Sequence, residues 1–405
     1  MTTTINNEHK KLNVPNLRFP EFQGEWEKCK LEDVMNFSTT RINSSELNED
    51  NYVSTENMLQ DYQGIMEAKS VPEDVNVISY SCGDILISNI RPYLKKVWKA
   101  TFNGGCSSDV FVLKANDNIE SDYLHYVIAN DKFINFVMSG AKGVKMPRGD
   151  KKQMKTYSLS LPQIQEQKKI GKMLSLLDER IATQNKVIDK LQSLIKGIAD
   201  NLLDNPLWEK TYLRSFMQFF STNSLSWEQL SYEEGEIRNL HYGLIHGFLT
   251  SGINSASLPM VKYGAMPKQY TLCQVGDVAF ADASEDTGEI AKSVEFVDTI
   301  DVETICGLHT IHGRDVKNKT LVGFKGFVFN SRYFHNQIKR LAQGTKVFSI
   351  TANNLSSCYI YLPDIETQKV IVKLLKAYEE QLIVNKSTLK QYEKQKQYLL
   401  RQMFI

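Results

Sequence analysis

The chain has 405 residues, of which 42% are hydrophobic and 23% charged, and its net charge is +1. This length is too great for one ordinary domain and favours two or three. The composition is that of a globular protein, and no stretch approaches the roughly 18 apolar residues that a membrane span requires. A net charge near zero gives nucleic-acid binding no support, so such a function must rest on local clusters or on a basic partner.

The first 13 residues are polar and lack the apolar core of a signal peptide, so we expect a disordered tail and a cytoplasmic protein. Six cysteines are scattered without a CxxC pair. Such spacing is typical of reduced, buried thiols, and we expect no disulfides. The cysteines are Cys29, Cys82, Cys106, Cys273, Cys306 and Cys358.

The second half of the chain repeats the first. A segment that begins at Leu161 recurs without a gap 201 positions later at Leu362, and this register holds from about residue 123 to residue 203. A second match opens each half at an offset of 182, where Trp26 corresponds to Trp208. The segments between the two matches share only short correspondences. A period of about 200 residues is far beyond that of a solenoid, so the sequence indicates a duplicated domain with unlike middles.

Each copy is predicted to hold an α+β globule followed by one long helix. In the first copy, the sequence pattern predicts strands at 84–88, 97–101 and 110–113 and a helix near 123–138. We therefore expect two similar α/β domains, related by an approximate two-fold axis and separated by two long antiparallel coiled-coil helices.

The long helices carry the pattern of a coiled coil, because apolar residues alternate in steps of three and four from Leu174 and, more weakly, from Leu375. Pro162 and Pro363 stand where the helices would begin, and Pro206 follows the first. A helix packed on its own globule would show the same stripe, but about 40 residues span about 60 Å, which favours the other long helix as partner. The predicted seam residues are Leu174, Leu177, Ile181, Gln184, Ile188, Leu191, Leu375, Tyr378, Leu382, Asn385, Leu389 and Tyr392.

The order of the elements predicts how the helices pair. The first helix leads to the second globule and the second helix starts there, so paired helices must be antiparallel. This arrangement brings Gln184 opposite Asn385, two polar residues within an apolar seam. We predict that they meet near the two-fold axis and fix the register of the helices.

With these features, the sequence resembles the specificity subunits of type I restriction-modification systems over nearly the whole chain. Residues 14–27, 161–178 and 362–404 look like that family's opening, central and C-terminal conserved regions. The second copy departs where Thr367 replaces Glu166 and where Tyr378-Glu379 replaces Leu177-Asp178, changes that leave the helix intact. The resemblance implies a disordered tail (1–13), a first target recognition domain (14–160), a central helix (161–205), a second target recognition domain (206–361) and a C-terminal helix (362–405).

The resemblance also implies a function without chemistry in this chain. Each recognition domain would read one half of an asymmetric, split target in double-stranded DNA, and the helices would set the unread gap. Two modification subunits would methylate adenine with S-adenosylmethionine, and restriction subunits would cleave with ATP and Mg. No cofactor is then expected in this chain.

Two segments of the first copy are candidates for DNA contact. Clustered cations can bind phosphates, and an arginine can pair with guanine, although a solvated charged loop gives the same pattern. The stronger segment, opposed only by Asp150, contains Lys142, Lys145, Arg148, Lys151, Lys152 and Lys155. The weaker one, more typical of ordinary surface, contains Asn89, Arg91, Lys95 and Lys96. At the position of Lys145 the second copy keeps a cation, Lys346, but it replaces the other cations with hydroxyl and amide side chains, and amides can read adenine edges. The replacements are Ser349, Thr351, Asn353 and Asn354.

Other chemical motifs are weak. A metal site is suggested by Cys306, His309 and His312. However, residues three apart in a strand point to opposite faces, and the similar segment at Cys106 has no histidine. We therefore expect no metal. The run that starts at Asn205 is similar to a methyltransferase motif but lacks its second proline, and we interpret it as a helix stop. No Walker A lysine motif is present.

Two other functions fit parts of the sequence. A DNA-independent scaffold that joins two binding globules through a coiled coil would suit a net charge near zero. A self-sufficient methyltransferase fragment is disfavoured by the missing cofactor loop. Salt-dependent binding to DNA distinguishes a DNA reader from a scaffold, because phosphate contacts release counterions.

Overall fold

The computed structural model describes residues 13–247, 251–298 and 302–405. Within them, no helix is long and apolar enough to cross a membrane. The rest of the predicted tail, residues 1–12, lies outside the described residues, whereas the side chain of Asn13 donates a hydrogen bond to the Trp26 carbonyl oxygen at 2.5 Å. The chain divides into two units, which we call the first unit (residues up to Thr183, with Leu389–Ile405) and the second unit (Gln184–Thr388).

The strands of the first unit are β1 (Glu27–Lys30), β2 (Met35–Phe37), β3 (Arg41–Asn43), β4 (Tyr52–Val53), β5 (Asn76–Tyr80), β6 (Ile85–Ser88), β7 (Val97–Lys99), β8 (Gly104–Cys106), β9 (Val110–Ala115) and β10 (Ser158–Leu161). Four of them form the central antiparallel sheet, in the order β2-β9-β6-β7. Beside it stand a mixed sheet, β3-β5-β8-β4, and the pair β1-β10. The predicted strands are present as β6, β7 and β9.

Apolar side chains cover both faces of the central sheet. Successive residues of a strand point to opposite faces. Ile85 and Ile87 therefore join one apolar cluster, while Leu86 between them joins another. A strand buried on both faces favours apolar residues, which explains the run from Ile85 to Ile87 in β6. Ser88, at the end of the strand, is buried but donates a hydrogen bond to the Ile90 carbonyl oxygen.

The helix predicted near 123–138 is interrupted in the structure. The chain leaves α2 (Ser121–Ile128) at Ala129, and Asn130 caps α3 (Asp131–Ser139) by accepting a hydrogen bond from the Lys132 backbone N–H at 3.0 Å. Asparagine favours this role because its side chain competes for backbone N–H groups. The helices are α1 (Leu31–Val34), α2 (Ser121–Ile128), α3 (Asp131–Ser139), α4 (Lys151–Lys155) and the first long helix, α5 (Ile164–Leu203).

The second unit repeats this plan with additions. Its strands are β11 (Glu209–Tyr212), β12 (Met217–Phe220), β13 (Leu230–Ser231), β14 (Arg238–Leu240), β15 (Gly252–Ile253), β16 (Met260–Val261), β17 (Val278–Ala281), β18 (Ala283–Ser284), β19 (Ser293–Phe296), β20 (Thr304–Cys306), β21 (Thr310–Asp315), β22 (Phe348–Ser349) and β23 (Tyr359–Leu362). The main sheet has the order β12-β21-β17-β19-β15 and the smaller sheet the order β13-β16-β14-β20, and the pairs β11-β23 and β18-β22 complete the unit. The helices are α6 (Tyr242–Gly247), α7 (Phe324–Val328), α8 (Arg332–Leu341), α9 (Ala352–Ser357) and the second long helix, α10 (Ile365–Met403).

Within each unit, parts of the two long helices lie against one another. Every predicted seam residue is buried or half-buried. In the second unit, Gln184 Nε2 donates to Asn385 Oδ1 at 2.6 Å, so the predicted meeting of these side chains is confirmed. In the first unit, the apolar stripe of the second long helix continues to Lys396, four residues after Tyr392. Lys396 pairs with the carboxylate of Asp178 at 2.6 Å, which also accepts a hydrogen bond from Tyr126. This pairing explains how a lysine is tolerated in the stripe.

A buried glutamine joins each long helix to its own globule. Gln167 Nε2 donates to the carbonyl oxygens of Asn118 and Pro162, and its Oε1 accepts from the Glu120 backbone N–H at 2.8 Å. In the second unit, Gln368 makes the same three bonds, to Lys319, Pro363 and Leu321, each 201 positions further along the chain. The internal repeat in the sequence is therefore also a repeat of hydrogen bonds.

Replacing Gln167 with Ala should lower the free energy of unfolding of the first unit by about 1–3 kcal/mol, because a buried N–H and two carbonyl oxygens lose their partner. Gln368→Ala should have an effect of similar size on the second unit. Urea unfolding, with hydrogen exchange to assign the change to a unit, measures both. Lys168→Ala, at an exposed neighbouring position, is the control and should change stability by less than about 0.5 kcal/mol. Equal effects of Gln167→Ala and Lys168→Ala would contradict this role.

Candidate nucleic-acid interface

Three segments of the first unit meet at the end of β6. The Asn89 carbonyl oxygen accepts from the Gly149 N–H at 3.0 Å, and the Asn89 N–H donates to the Asp109 carbonyl oxygen at 2.7 Å. The Arg91 N–H donates to the Pro147 carbonyl oxygen at 2.8 Å. We call the surface formed by residues 89–91, 109 and 142–148 the first surface.

Residues 142–148 form a narrow hairpin that projects from this surface. The backbones of Lys142 and Arg148 pair through two hydrogen bonds of 3.1 and 2.9 Å. Gly143 has a φ of +99°, a conformation that favours glycine, and an added Cβ would lie 3.2 Å from the Met146 carbonyl oxygen. The next residue, Val144, is fully exposed, and Lys145 beside it is also exposed. The tip of this hairpin therefore presents one cation beside apolar atoms.

The predicted cations of this segment have different environments. Lys142 lies 3.4 Å from Asp150, and Arg148 lies 3.4 Å from Asp109, yet both cations keep more than half of their side-chain surface exposed. Lys152 and Lys155 are exposed on α4.

Lys151 is the exception among these cations. Its Nζ lies 4.6 Å from the centre of the Phe111 ring and 5.1 Å from that of Phe37. Burial lowers the pKa of this ammonium group below its usual value. Lys151 is therefore half-buried against these two rings, whereas Lys152 and Lys155 of the same helix are exposed.

The structure brings the weaker candidate segment beside the stronger one, which the sequence did not indicate. Arg91 is exposed next to the hairpin, and Asn89 lies between the hairpin and the turn at Asp109. Lys95 and Lys96 are engaged elsewhere, because Lys95 pairs with Asp131 at 2.9 Å and Lys96 donates to the Thr55 carbonyl oxygen at 2.6 Å.

The second unit has an equivalent surface on the same framework. Ala283 pairs with Ser349, the Asp282 carbonyl oxygen accepts from the Ile350 N–H at 2.9 Å, and the Asp282 N–H donates to the His309 carbonyl oxygen at 3.0 Å. Residues 343–349 form the second hairpin, closed by two hydrogen bonds between Gln343 and Ser349. We call residues 282–284, 309 and 343–349 the second surface.

The side chains of the second surface differ from those of the first. His309 Nδ1 lies 3.1 Å from Asp282 Oδ1, where the first surface has Asp109 and Asn89. Lys346 and Ser349 are exposed on the second hairpin. The same framework therefore presents different hydrogen-bonding groups in the two units.

The remaining candidates of the second copy lie at the start of α9. Thr351 Oγ1 accepts from the Asn354 backbone N–H at 3.2 Å, and the Asn354 side-chain amide donates to the Leu341 carbonyl oxygen at 3.2 Å. Thr351 and Asn354 thus cap this helix and tie it to α8, whereas Asn353 is exposed.

The expectation that Cys306, His309 and His312 lie on one strand was wrong. Cys306 ends β20, His309 turns the chain with a φ of +53°, and His312 lies on β21. The ligand atoms of Cys306 and His312 lie within 4.8 Å of one another and of Cys273, and all three residues are buried. Sequence reasoning missed Cys273 because no spacing motif links it to the others.

A scan of protein families matches the one described as "Type I restriction modification DNA specificity domain" over residues 23–193 and 301–394. The chain is 26% identical over 316 residues to the type I restriction enzyme MjaVIII specificity subunit of Methanocaldococcus jannaschii, which covers 73% of this chain and 72% of that relative. It is also 26% identical over 121 residues to the Escherichia coli EcoDI specificity subunit, covering 30% and 27% of the two chains.

Solved structures share the fold. The S subunit of a type I restriction-modification system from M. genitalium matches with a TM-score of 0.60 at 14% identity, covering 97% of this chain and 99% of that one. A chain from a structure of the assembly of a type I R-M system matches with a TM-score of 0.55 at 17% identity, covering 93% and 96%.

The family match spans more than half of the chain and includes parts of both copies. The two-domain, coiled-coil architecture agrees with it. The chain therefore belongs to the type I restriction-modification DNA specificity family and serves in DNA sequence recognition as a specificity subunit.

Proposed function

We propose that the chain reads an asymmetric, two-part target in double-stranded DNA, one half-site for each unit. The observation that carries this proposal is the pair of surfaces built on one framework with unlike side chains. A shared framework supports docking on the same kind of ligand, while the exchange of Asn89 and Asp109 for Asp282 and His309 supports different base preferences.

The hairpins are the proposed reading elements. The major groove of B-DNA, about 12 Å wide, admits a two-stranded β-ribbon, and base edges there carry a distinct pattern of donors and acceptors. On the first surface, Arg148 is suited to guanine, and Lys145 and Arg91 to phosphates. On the second, Lys346 is suited to a phosphate and Ser349 to a base edge.

We also propose that this chain carries out no chemistry itself. In this proposal, two modification subunits methylate adenine with S-adenosylmethionine, and restriction subunits cleave with ATP and Mg. The relatives' names as subunits of restriction enzymes support a partnership of this kind. Since its ligand is DNA, we propose that the protein acts in the cytoplasm.

Lys145→Ala should weaken DNA binding by the complex with modification subunits almost equally on all sequences, and should reduce the slope of log affinity against log salt by about 1. Arg148→Ala should cost about 1–3 kcal/mol and relax specificity at one position of one half-site. Titrations of labelled duplexes at two salt concentrations measure both effects.

Lys69→Ala, which removes an exposed cation outside the first surface, is the control and should leave affinity unchanged. Unchanged affinity and salt slope in both hairpin variants would refute the first surface as the DNA site. If DNA binding by the unaltered complex did not depend on salt at all, the result would favour the scaffold instead.

Exchanging residues 208–361 for the corresponding domain of a homologue with a different target should change only one half of the methylated sequence. We expect only one half to change because the side chains of one unit read each half-site. Sequencing of methylated adenines in DNA from cells with the chimera and the modification subunits gives the result. A change in both halves, or in neither, would show that the units do not read independently.

A further inference from the structure

The core of the second unit contains a cluster of soft metal ligands. The sulfur atoms of Cys273 and Cys306 lie 3.6 Å apart, and the ligand atoms of both residues and of His312 lie within 4.8 Å of one another. All three residues are buried. Two sulfurs bound to one zinc ion at about 2.3 Å in tetrahedral geometry lie about 3.8 Å apart, whereas a disulfide requires about 2.05 Å. The observed separation is close to the first value.

The first unit provides an internal comparison at the same place in the fold. In both units an aspartate just before the central strand accepts a hydrogen bond of 2.8 Å from a backbone N–H. Asp84 accepts it from Ser81 in the first unit, and Asp277 accepts it from Gln274 in the second. By this correspondence, Cys273 takes the place of a tyrosine, and Ala279 that of Leu86. Since Ala279 pairs across the sheet with His312 and Leu86 with Val112, His312 takes the place of a valine. In the first unit, the residues that correspond to Cys273, Cys306 and His312 are Tyr80, Cys106 and Val112, which lie together in an apolar cluster. The second unit thus has two metal-binding side chains where the first has ordinary core packing.

The imidazole of His312 is held as metal-ligating histidines usually are. Its Nε2 lies 2.7 Å from Asp277 Oδ2, and Arg314 grips the same carboxylate at 2.7 and 2.8 Å. A carboxylate on one ring nitrogen fixes the orientation of the ring and makes the other nitrogen a better ligand. Nδ1 is then the atom available for a metal ion.

We propose that Cys273, Cys306 and His312 bind one zinc ion inside the second unit, with a water molecule as fourth ligand. Binding releases one proton from each thiol to solvent, and the two thiolates balance the two positive charges of the ion, so the buried site is neutral. Soft thiolate ligands with an imidazole favour zinc over magnesium or calcium. The ion would fix the turn at His309, and with it one edge of the second surface.

The test is the metal content of the full-length chain, purified without chelator and reconstituted with Zn²⁺ alone. Mass spectrometry of the elements should find one zinc ion per chain. After exchange to Co²⁺, absorption bands from thiolate-to-cobalt charge transfer should appear. Cys273→Ser should lower zinc affinity by roughly tenfold or more. Cys106→Ser, the matched buried cysteine of the first unit, should leave zinc content unchanged.

Absence of zinc from the unaltered chain, or of the charge-transfer bands with Co²⁺, would overturn the proposal even if the variants fail to fold. Equal zinc affinity of the Cys273→Ser and Cys106→Ser proteins would also overturn it. Isolation of a peptide with Cys273 and Cys306 joined by a disulfide, with no zinc bound, would identify the pair as a redox couple instead. None of these results depends on DNA binding, so they leave the proposed function unaffected.

Discussion

The arrangement of each unit depends on a buried glutamine in the first turn of its long helix. Gln167 and Gln368 each satisfy one backbone N–H and one carbonyl oxygen of the loop that the helix packs against, and the carbonyl oxygen of the proline just before the helix. An amide with several bonds to the backbone allows one orientation and leaves little room for sliding, because each displaced bond would leave a buried polar group unpaired. The globule is thereby fixed to the helix that carries it.

With that joint fixed, several differences between the units lie at exposed places where they can serve recognition. The central strands β6 and β17 are buried on both faces and consist mostly of apolar residues. The hairpins that pair with the segments after these strands are exposed, and there the units differ, with Arg148 in one hairpin and Ser349 at the equivalent place in the other. A rigid apolar framework with exposed loops lets side chains change without altering the backbone that presents them.

The polar residues of the helix seam act in different ways. Gln184 and Asn385 bond to one another inside the second unit, so a shift by one turn would leave two amides unpaired among apolar side chains. Lys396 is paired with Asp178, which also accepts a bond from Tyr126 of the first globule. Polar seam residues therefore fix the register of the helices in the second unit and attach the helices to the globule in the first.

The sequence by itself determined the duplication, the seam, the meeting of Gln184 with Asn385 and the clustering of cations at 142–155, because these depend on periodicity and on residues close together in the chain. Only the tertiary structure decided that residues 142–148 form a hairpin with Arg91 beside it, that Lys151 packs against Phe37 and Phe111, and that Cys273 joins Cys306 and His312. These neighbours come from separate segments of the chain. Their proximity follows from sheet order and from the packing of side chains between sheets, and neither leaves a spacing pattern in a single sequence.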